Sequence, residues 1–211
     1  MNNVKRTLFV MVLLVVAVSA KAQNSDIRTI FDSKGERSNG GYGGITTGYS
    51  KIADRDALLV GGQGAWLINH QFGIGLAGTG FMTEREFDSE LNNRYLVTGG
   101  YGGLMLEFIA FPQSPIHLSF PLVVGAGGVS YSRSTRDYEL GFSEDSQAFF
   151  VVEPGAEIEM NVISFMRLSF GVKYRFTSDI DLTYLNSGDR ILEQDALRGL
   201  TGTVALKFGK F

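Results

Sequence analysis

The chain has 211 residues, enough for one domain, and its formal net charge of -3 gives no reason to expect nucleic acid as a partner. It contains no cysteine, which excludes a lipoprotein anchor, a disulfide framework, a thiolate metal site and a cysteine nucleophile. Glycine is the outlier, with 27 residues against 4 prolines; that is neither collagen-like nor linker-like, and it points to close backbone approach inside strands.

Lys5 and Arg6 precede an apolar run from Leu8 to Val18, and Ala20-Lys21-Ala22 has small-x-small spacing. The pattern predicts a cleaved signal peptide over residues 1–22, because the apolar run is too short to cross a bilayer comfortably as a helix. Residues 23–39 are polar apart from Ile27, Ile30 and Phe31, and read as a short N-terminal arm.

From there the hydrophobic pattern has period two and keeps it. Gly41 to Lys51 is a Gly- and Thr-rich first strand, and Leu58 to Ile68 carries Leu58, Val60 and Trp66 in phase. Gln71 to Met82 sets Phe72, Ile74 and Leu76 against Gly73, Gly75 and Ala77. Arg94 to Ile109 sets Leu104, Leu106 and Phe108 against Tyr101, Gly103 and Glu107. Ile116 to Tyr131 aligns Leu118, Phe120, Leu122 and Val124. Phe149 to Met160 puts Glu153, Gly155, Glu157 and Glu159 on one face, with Phe150, Val152 and Ile158 on the other. Phe165 to Phe176 is the clearest strand, with Arg167, Lys173 and Arg175 opposite Leu168, Phe170, Val172, Tyr174 and Phe176. Gly199 to Phe208 closes the series, with Leu200, Val204, Leu206 and Phe208 in phase. A helix, with its period of 3.6, would scatter these sets.

The connections alternate. Those around Asn69-His70, Pro112 to Pro115 and Asn161 to Ser164 are tight; Thr83 to Asn93, Ser132 to Gln147 and Ser178 to Arg198 are long and charged, and Ile52 to Asp56 is modest. Period two alone suits a soluble barrel as well as a membrane barrel. The membrane reading is favoured by a polar face poor in Lys and Glu but rich in Gly, Ser and Thr. Matched charges on that face point the same way: Glu107, Glu153, Glu157 and Glu159 against Arg167, Lys173, Arg175 and Lys207. So do the aromatics at strand ends of the apolar face, Trp66, Phe72, Phe108, Phe150, Tyr174 and Phe176, placed as interfacial girdles are. The chain also ends in an aromatic, Phe211.

The signal peptide, even strand count, loop asymmetry and Phe211 resemble the small bacterial outer-membrane β-barrel proteins of the OmpA/OmpX type, over roughly residues 40–211. The resemblance implies an all-β, eight-stranded antiparallel transmembrane barrel with short periplasmic turns, longer extracellular loops and a periplasmic arm at residues 23–39. It also implies an outer-membrane location, outer-membrane lipids and lipopolysaccharide as neighbours, and Phe211 as the assembly signal for the barrel assembly machinery. Phe208, Leu206 and Val204 are in phase with one another, whereas Phe211 is out of phase with them.

An inward residue must oppose an inward residue, so facing numbers in the two charged strands sum to an even value. A turn near Asn161 to Ser164 suggests a sum near 326, placing Glu159 opposite Arg167 and Glu153 opposite Lys173. An eight-stranded barrel is only wide enough for its own side chains, which favours a lumen plugged by charged pairs over a selective pore. Gly40-Gly41-Tyr42-Gly43-Gly44 recurs as Gly99-Gly100-Tyr101-Gly102-Gly103; glycine making room for tyrosine in a crowded lumen is favoured over a ligand platform. Lipid-modifying enzymes that resemble this class use a His, generally with Ser, on the outer-leaflet side. Here the two histidines, His70 and His117, fall in or beside the tight turns. Acids in the long loops, such as Glu84, Asp88, Asp181 and Asp189, lack the ordered spacing of a calcium loop and read as solvated tips. The expectation is a non-catalytic protein with a structural or surface-interaction role, no cofactor, no metal, and an unidentified extracellular partner. The alternatives are a narrow OmpW-like channel for small hydrophobic solutes and an envelope-lipid-modifying enzyme.

Overall fold

The structure is a computed structural model, and it describes residues 39–134 and 140–211, without the side chains of residues 134 and 140–142. The expected signal peptide and nearly all of the expected arm lie outside the described residues. The described residues form nine strands: β1 (Asn39–Ile52), β2 (Arg55–Ile68), β3 (Phe72–Thr83), β4 (Glu86–Asp88), β5 (Asn93–Ala110), β6 (Ile116–Ser134), β7 (Leu140–Ile163), β8 (Met166–Thr177) and β9 (Gly199–Lys210). Among the described residues there is no helix.

All pairings are antiparallel, and each main strand pairs with its sequence neighbour. The last strand pairs with the first, Gly41 with Lys210 through Ser50 with Thr201, so the sheet closes into a ring of eight strands. Closure leaves no unpaired edge, which is the condition for a sheet to stand in hydrocarbon. The short β4 extends β5 beyond the ring through Glu86 opposite Tyr95.

Two hairpins turn on consecutive residues with positive φ: 52° and 59° at Ala53-Asp54, which is the whole β1–β2 connection, and 53° and 57° at Asn69-His70, followed by Gln71 before β3. That backbone matches the right-handed twist of the flanking strands. The strands run further at the loop end than the hydrophobic pattern suggests. Most of Ser132 to Gln147 is not loop, because β6 reaches Ser134 and β7 begins at Leu140. Likewise, Thr83 to Asn93 contains β4, whose pairing continues the sheet above the ring.

Side chains alternate between two environments. Outward, Leu58, Val60, Leu76, Leu104, Val124, Ile158 and Val172 are all exposed. Inward, the charged residues of β5, β7, β8 and β9 are buried. An apolar exterior around a charged interior is the reverse of a water-soluble barrel, and closed barrels of this build belong to outer membranes. The outward aromatics form two belts. Trp66, Phe72 and Phe108 lie at the short-turn end, with Phe72 and Phe108 rings 5.3 Å apart, while Phe150, Tyr174 and Phe176 lie at the loop end. All six are exposed.

Candidate functional site in the barrel interior

The lumen is layered along its axis. At the short-turn end, strands β5 and β7 bring Glu107, Glu157 and Glu159 together, with carboxylate oxygens within 4.8 Å of one another. Three carboxylates that close are a cation site in chemical terms, and the chain supplies the cation itself. Lys207 on β9 sets its ammonium 2.8 Å from Glu107 Oε1 and 3.2 Å from Glu157 Oε2, and donates to Glu159 Oε1 as well. The ammonium donates hydrogen bonds to Glu107 and Glu159 and holds Glu157 as an ion pair.

A second layer of donors completes the acids. Tyr42 Oη donates to Glu107 at 2.8 Å and Ser119 Oγ to the same carboxylate at 2.6 Å. Ser169 Oγ donates to Glu157 at 2.8 Å. Glu159 faces His117 Nε2 at 2.9 Å and Arg167 Nη1 at 3.4 Å, while His117 Nδ1 faces the Ser114 carbonyl at 3.2 Å. Arg167 also donates to Asn161 at 2.7 Å and lies 4.0 Å over the Phe211 ring.

Higher up, Lys173 pairs with Glu157 at 3.4 Å, and Tyr101 Oη donates to Glu153 at 2.5 Å. The tyrosines of the repeated pentapeptide thus have parallel duties, each facing inward and donating to a lumen glutamate. The room for them comes from cross-strand glycines. A Cβ at Gly127 would stand 2.6 Å from Tyr101 Cβ, and one at Gly209 would stand 2.7 Å from Tyr42 Cβ. Near Glu153 and Lys173 two small holes remain, each about 10 Å³, at most one water apiece. Gln63 Nε2 and Thr46 Oγ1, which line them, have no protein partner, so a water there has a donor and an acceptor to serve.

The loop end of the lumen is apolar. Ile180, Leu182 and Leu197, from the connection after β8, are fully buried in a cluster with Leu59, Phe81, Tyr95, Val97, Val129, Tyr131, Phe149 and Val151. The segment 178–198 is therefore not a solvated tip throughout, because Ile180, Leu182, Leu192 and Leu197 insert into the barrel mouth while Leu185 stays exposed. Below it, Arg175 donates to the Leu197 carbonyl at 2.6 Å and to Thr201 at 3.5 Å. Asp88 on β4 is likewise no free loop acid. It accepts from the hydroxyls of Tyr131 and Tyr184, both at 2.8 Å, and from the Glu90 and Leu91 amides.

All eight charged residues singled out from the alternation are buried in the lumen. Their pairing differs from expectation in register. Facing residues of β7 and β8 sum to 328, as in Gly155 with Lys173 and Asn161 with Arg167, because β7 runs on to Ile163 and leaves only Ser164-Phe165 as the turn. Glu159 consequently meets Arg167 on the diagonal, and Lys173 bridges to Glu157 rather than Glu153. Phe211, beyond the end of β9, packs into the inner mouth, with its ring 5.9 Å from that of Tyr42. His117 and Tyr42 belong to the network although charge pairing alone does not single them out; their parity on β6 and β1 is the signal, since odd positions on β6 and even ones on β1 face inward.

The fold and its interior define a small eight-stranded transmembrane β-barrel of the outer-membrane type, with a charged floor and a loop-filled mouth. No protein-family model matches the chain, and no curated protein matches it. Among solved structures, Neisserial surface protein A superposes with a TM-score of 0.57 at 10% identity, over 84% of this chain and 100% of that one. The attachment invasion locus protein Ail of Yersinia pestis, in complex with the heparin analogue sucrose octasulfate, gives 0.47 at 13% identity, over 83% and 99%. The outer membrane protein OprG of Pseudomonas aeruginosa gives 0.45 at 12% identity, over 84% and 99%. At such identities the likeness is one of fold.

Proposed function

We propose that this chain is a non-catalytic outer-membrane barrel whose closed interior serves stability and whose outer segments form an ordered surface for contact outside the cell. The observation that carries this reading is the filled lumen: Lys207, Lys173 and Arg167 pair with Glu107, Glu157 and Glu159 below, and Ile180, Leu182 and Leu197 fill the mouth above. The holes beside Glu153 and Lys173 hold at most one water each. The histidines support the same reading, since His70 sits in an inner turn and His117 is buried against Glu159, both away from outer-leaflet substrate. The outer surface is held in place rather than free, because Asp88 ties β4 to Tyr184 and Ser187 donates to Glu90 at 2.6 Å.

Reconstitution into planar bilayers tests the proposal. The protein is expected to give no stepwise conductance above the bare bilayer. Defined conductance steps, abolished by a disulfide engineered across the mouth, would overturn the plug and make the alternative, a channel, the leading reading.

A further inference from the structure

One acid of the lumen stands apart from the network below it. Glu153 on β7 is buried and accepts a hydrogen bond from Tyr101, but it is in no ion pair among the described residues. Lys173 on β8 lies over Gly155, the inward residue between Glu153 and Glu157, where a Cβ would stand 2.8 Å from Lys173 Cγ. From there its ammonium leans to Glu157 at 3.4 Å, yet Glu157 Oε1 receives no hydrogen bond. Two buried charges of opposite sign thus keep unfilled hydrogen-bonding capacity, since a carboxylate accepts several bonds and an ammonium donates up to three.

Glu153 and Lys173 both line both of the holes of about 10 Å³. Gln63 lines the first; it is 8% exposed, and its Nε2 has no protein partner. Thr46 lines both, with its Oγ1 likewise unpartnered, and Thr79 stands beside it in each lining. The lining therefore offers donors and acceptors together to an occupant the size of one water. A second cation would face the Lys173 ammonium, and a second anion would face the Glu153 carboxylate. The occupant selected is neutral, and it both donates and accepts.

We propose that each hole holds one ordered water, and that the two waters join Glu153 to Lys173 as a water-separated ion pair, with the Gln63 amide donating to the first of them. A bridging water is nearly as good as a direct hydrogen bond, so the acid and the ammonium are compensated without touching. The site goes beyond the reading of a plugged barrel: it concerns how Glu153 is compensated, and it stands whether or not the mouth opens.

The test is a crystal structure of the full-length protein, at a resolution where ordered waters are distinct, together with two variants. Gln63→Leu removes the amide at the first hole. Ser119→Ala removes a hydroxyl that meets Glu107, in the cluster below. Heat-modifiable gel migration verifies that both are folded. In the unaltered protein one density peak is expected in each hole, within hydrogen-bond distance of Glu153 or Lys173. Gln63→Leu is expected to lose the first water and keep the second, and Ser119→Ala to keep both. Holes without density between well-ordered side chains would overturn the proposal, as would a direct contact of Glu153 with Lys173 or a peak with the short contacts of a metal ion. So would both waters persisting in Gln63→Leu, or the same loss in the two variants.

Discussion

Lys207 is 1% exposed, and its ammonium holds three carboxylates that would otherwise repel one another. Breaking a buried pair by removing one partner costs far more than breaking an exposed one, because the survivor is left uncompensated. Arg167 and Arg190 make that contrast measurable. Arg167 is buried against Glu159, whereas Arg190 pairs with Asp181 at 2.9 Å with both side chains about half exposed. Arg167→Ala is expected to destabilise the barrel by about 3–5 kcal/mol, and Arg190→Ala by under about 1 kcal/mol. Urea unfolding in lipid vesicles reads both, and equal effects would count against a lumen that depends on internal pairing. At this scale the sequence was informative, since a period of two sorts Glu107, Glu153, Glu157 and Glu159 from their apolar neighbours without knowledge of the fold. It was less informative about neutral partners. Tyr42, Ser119 and His117 share the inward parity, but nothing in a lone polar residue announces which carboxylate it meets.

Among the elements, the segment 178–198 departs most from its appearance in the sequence. Its acids suggest solvent, and its apolar residues, Ile180, Leu182, Leu192 and Leu197, follow neither period two nor 3.6. Their burial arises only when a ring of strands offers a mouth to fill, which is tertiary and leaves no local mark. The β7–β8 register shows the same limit. Parity was legible because a slip by one residue would turn every side chain to the wrong face, but a slip by two preserves both faces and is decided by the turn. The outer elements are joined through Asp88, which lies outside the membrane-spanning ring. Burial works to raise its carboxyl and is outweighed by the Leu91 amide and the Tyr184 hydroxyl, then by Tyr131 and the Glu90 amide, so it is held below the ordinary carboxylate range. A carboxyl depressed in the folded state contributes stability above its unfolded value of about 3.9, and that contribution is lost as pH falls below it. The hydrogen exchange of the Glu90 and Leu91 amides is therefore expected to accelerate only as pH falls below about 4, relative to intrinsic rates. Asp88→Asn should remove the pH dependence; its persistence would assign the effect elsewhere.

The whole molecule is a closed ring, and closure depends on strands far apart in sequence. The contacts that seal it join β1 to β9, across most of the chain, so they carry the largest loop-closure cost of any pairing in the barrel. Eight strands, their faces and the alternation of short and long connections were all legible beforehand because each rests on local pattern. The filling of the interior was legible only in outline, since β5, β7 and β9 converge on one cluster through the curvature of the ring.

That convergence bears on the order of events in assembly. The acids come from β5 and β7, whereas the ammonium that neutralises them arrives on the strand that closes the ring. An open sheet lacking β9 would leave Glu107 without a cation and only Arg167 and Lys173 of β8 to offset Glu159 and Glu157, a state the bilayer disfavours. Lys207 is thus the keystone of the acid cluster, which gains its central cation only when the last strand is in place. With Lys207→Met, insertion into vesicles should itself slow, seen as delayed appearance of the heat-modifiable band. A variant that inserted at the normal rate and merely unfolded faster would show that the ring closes before its charges meet.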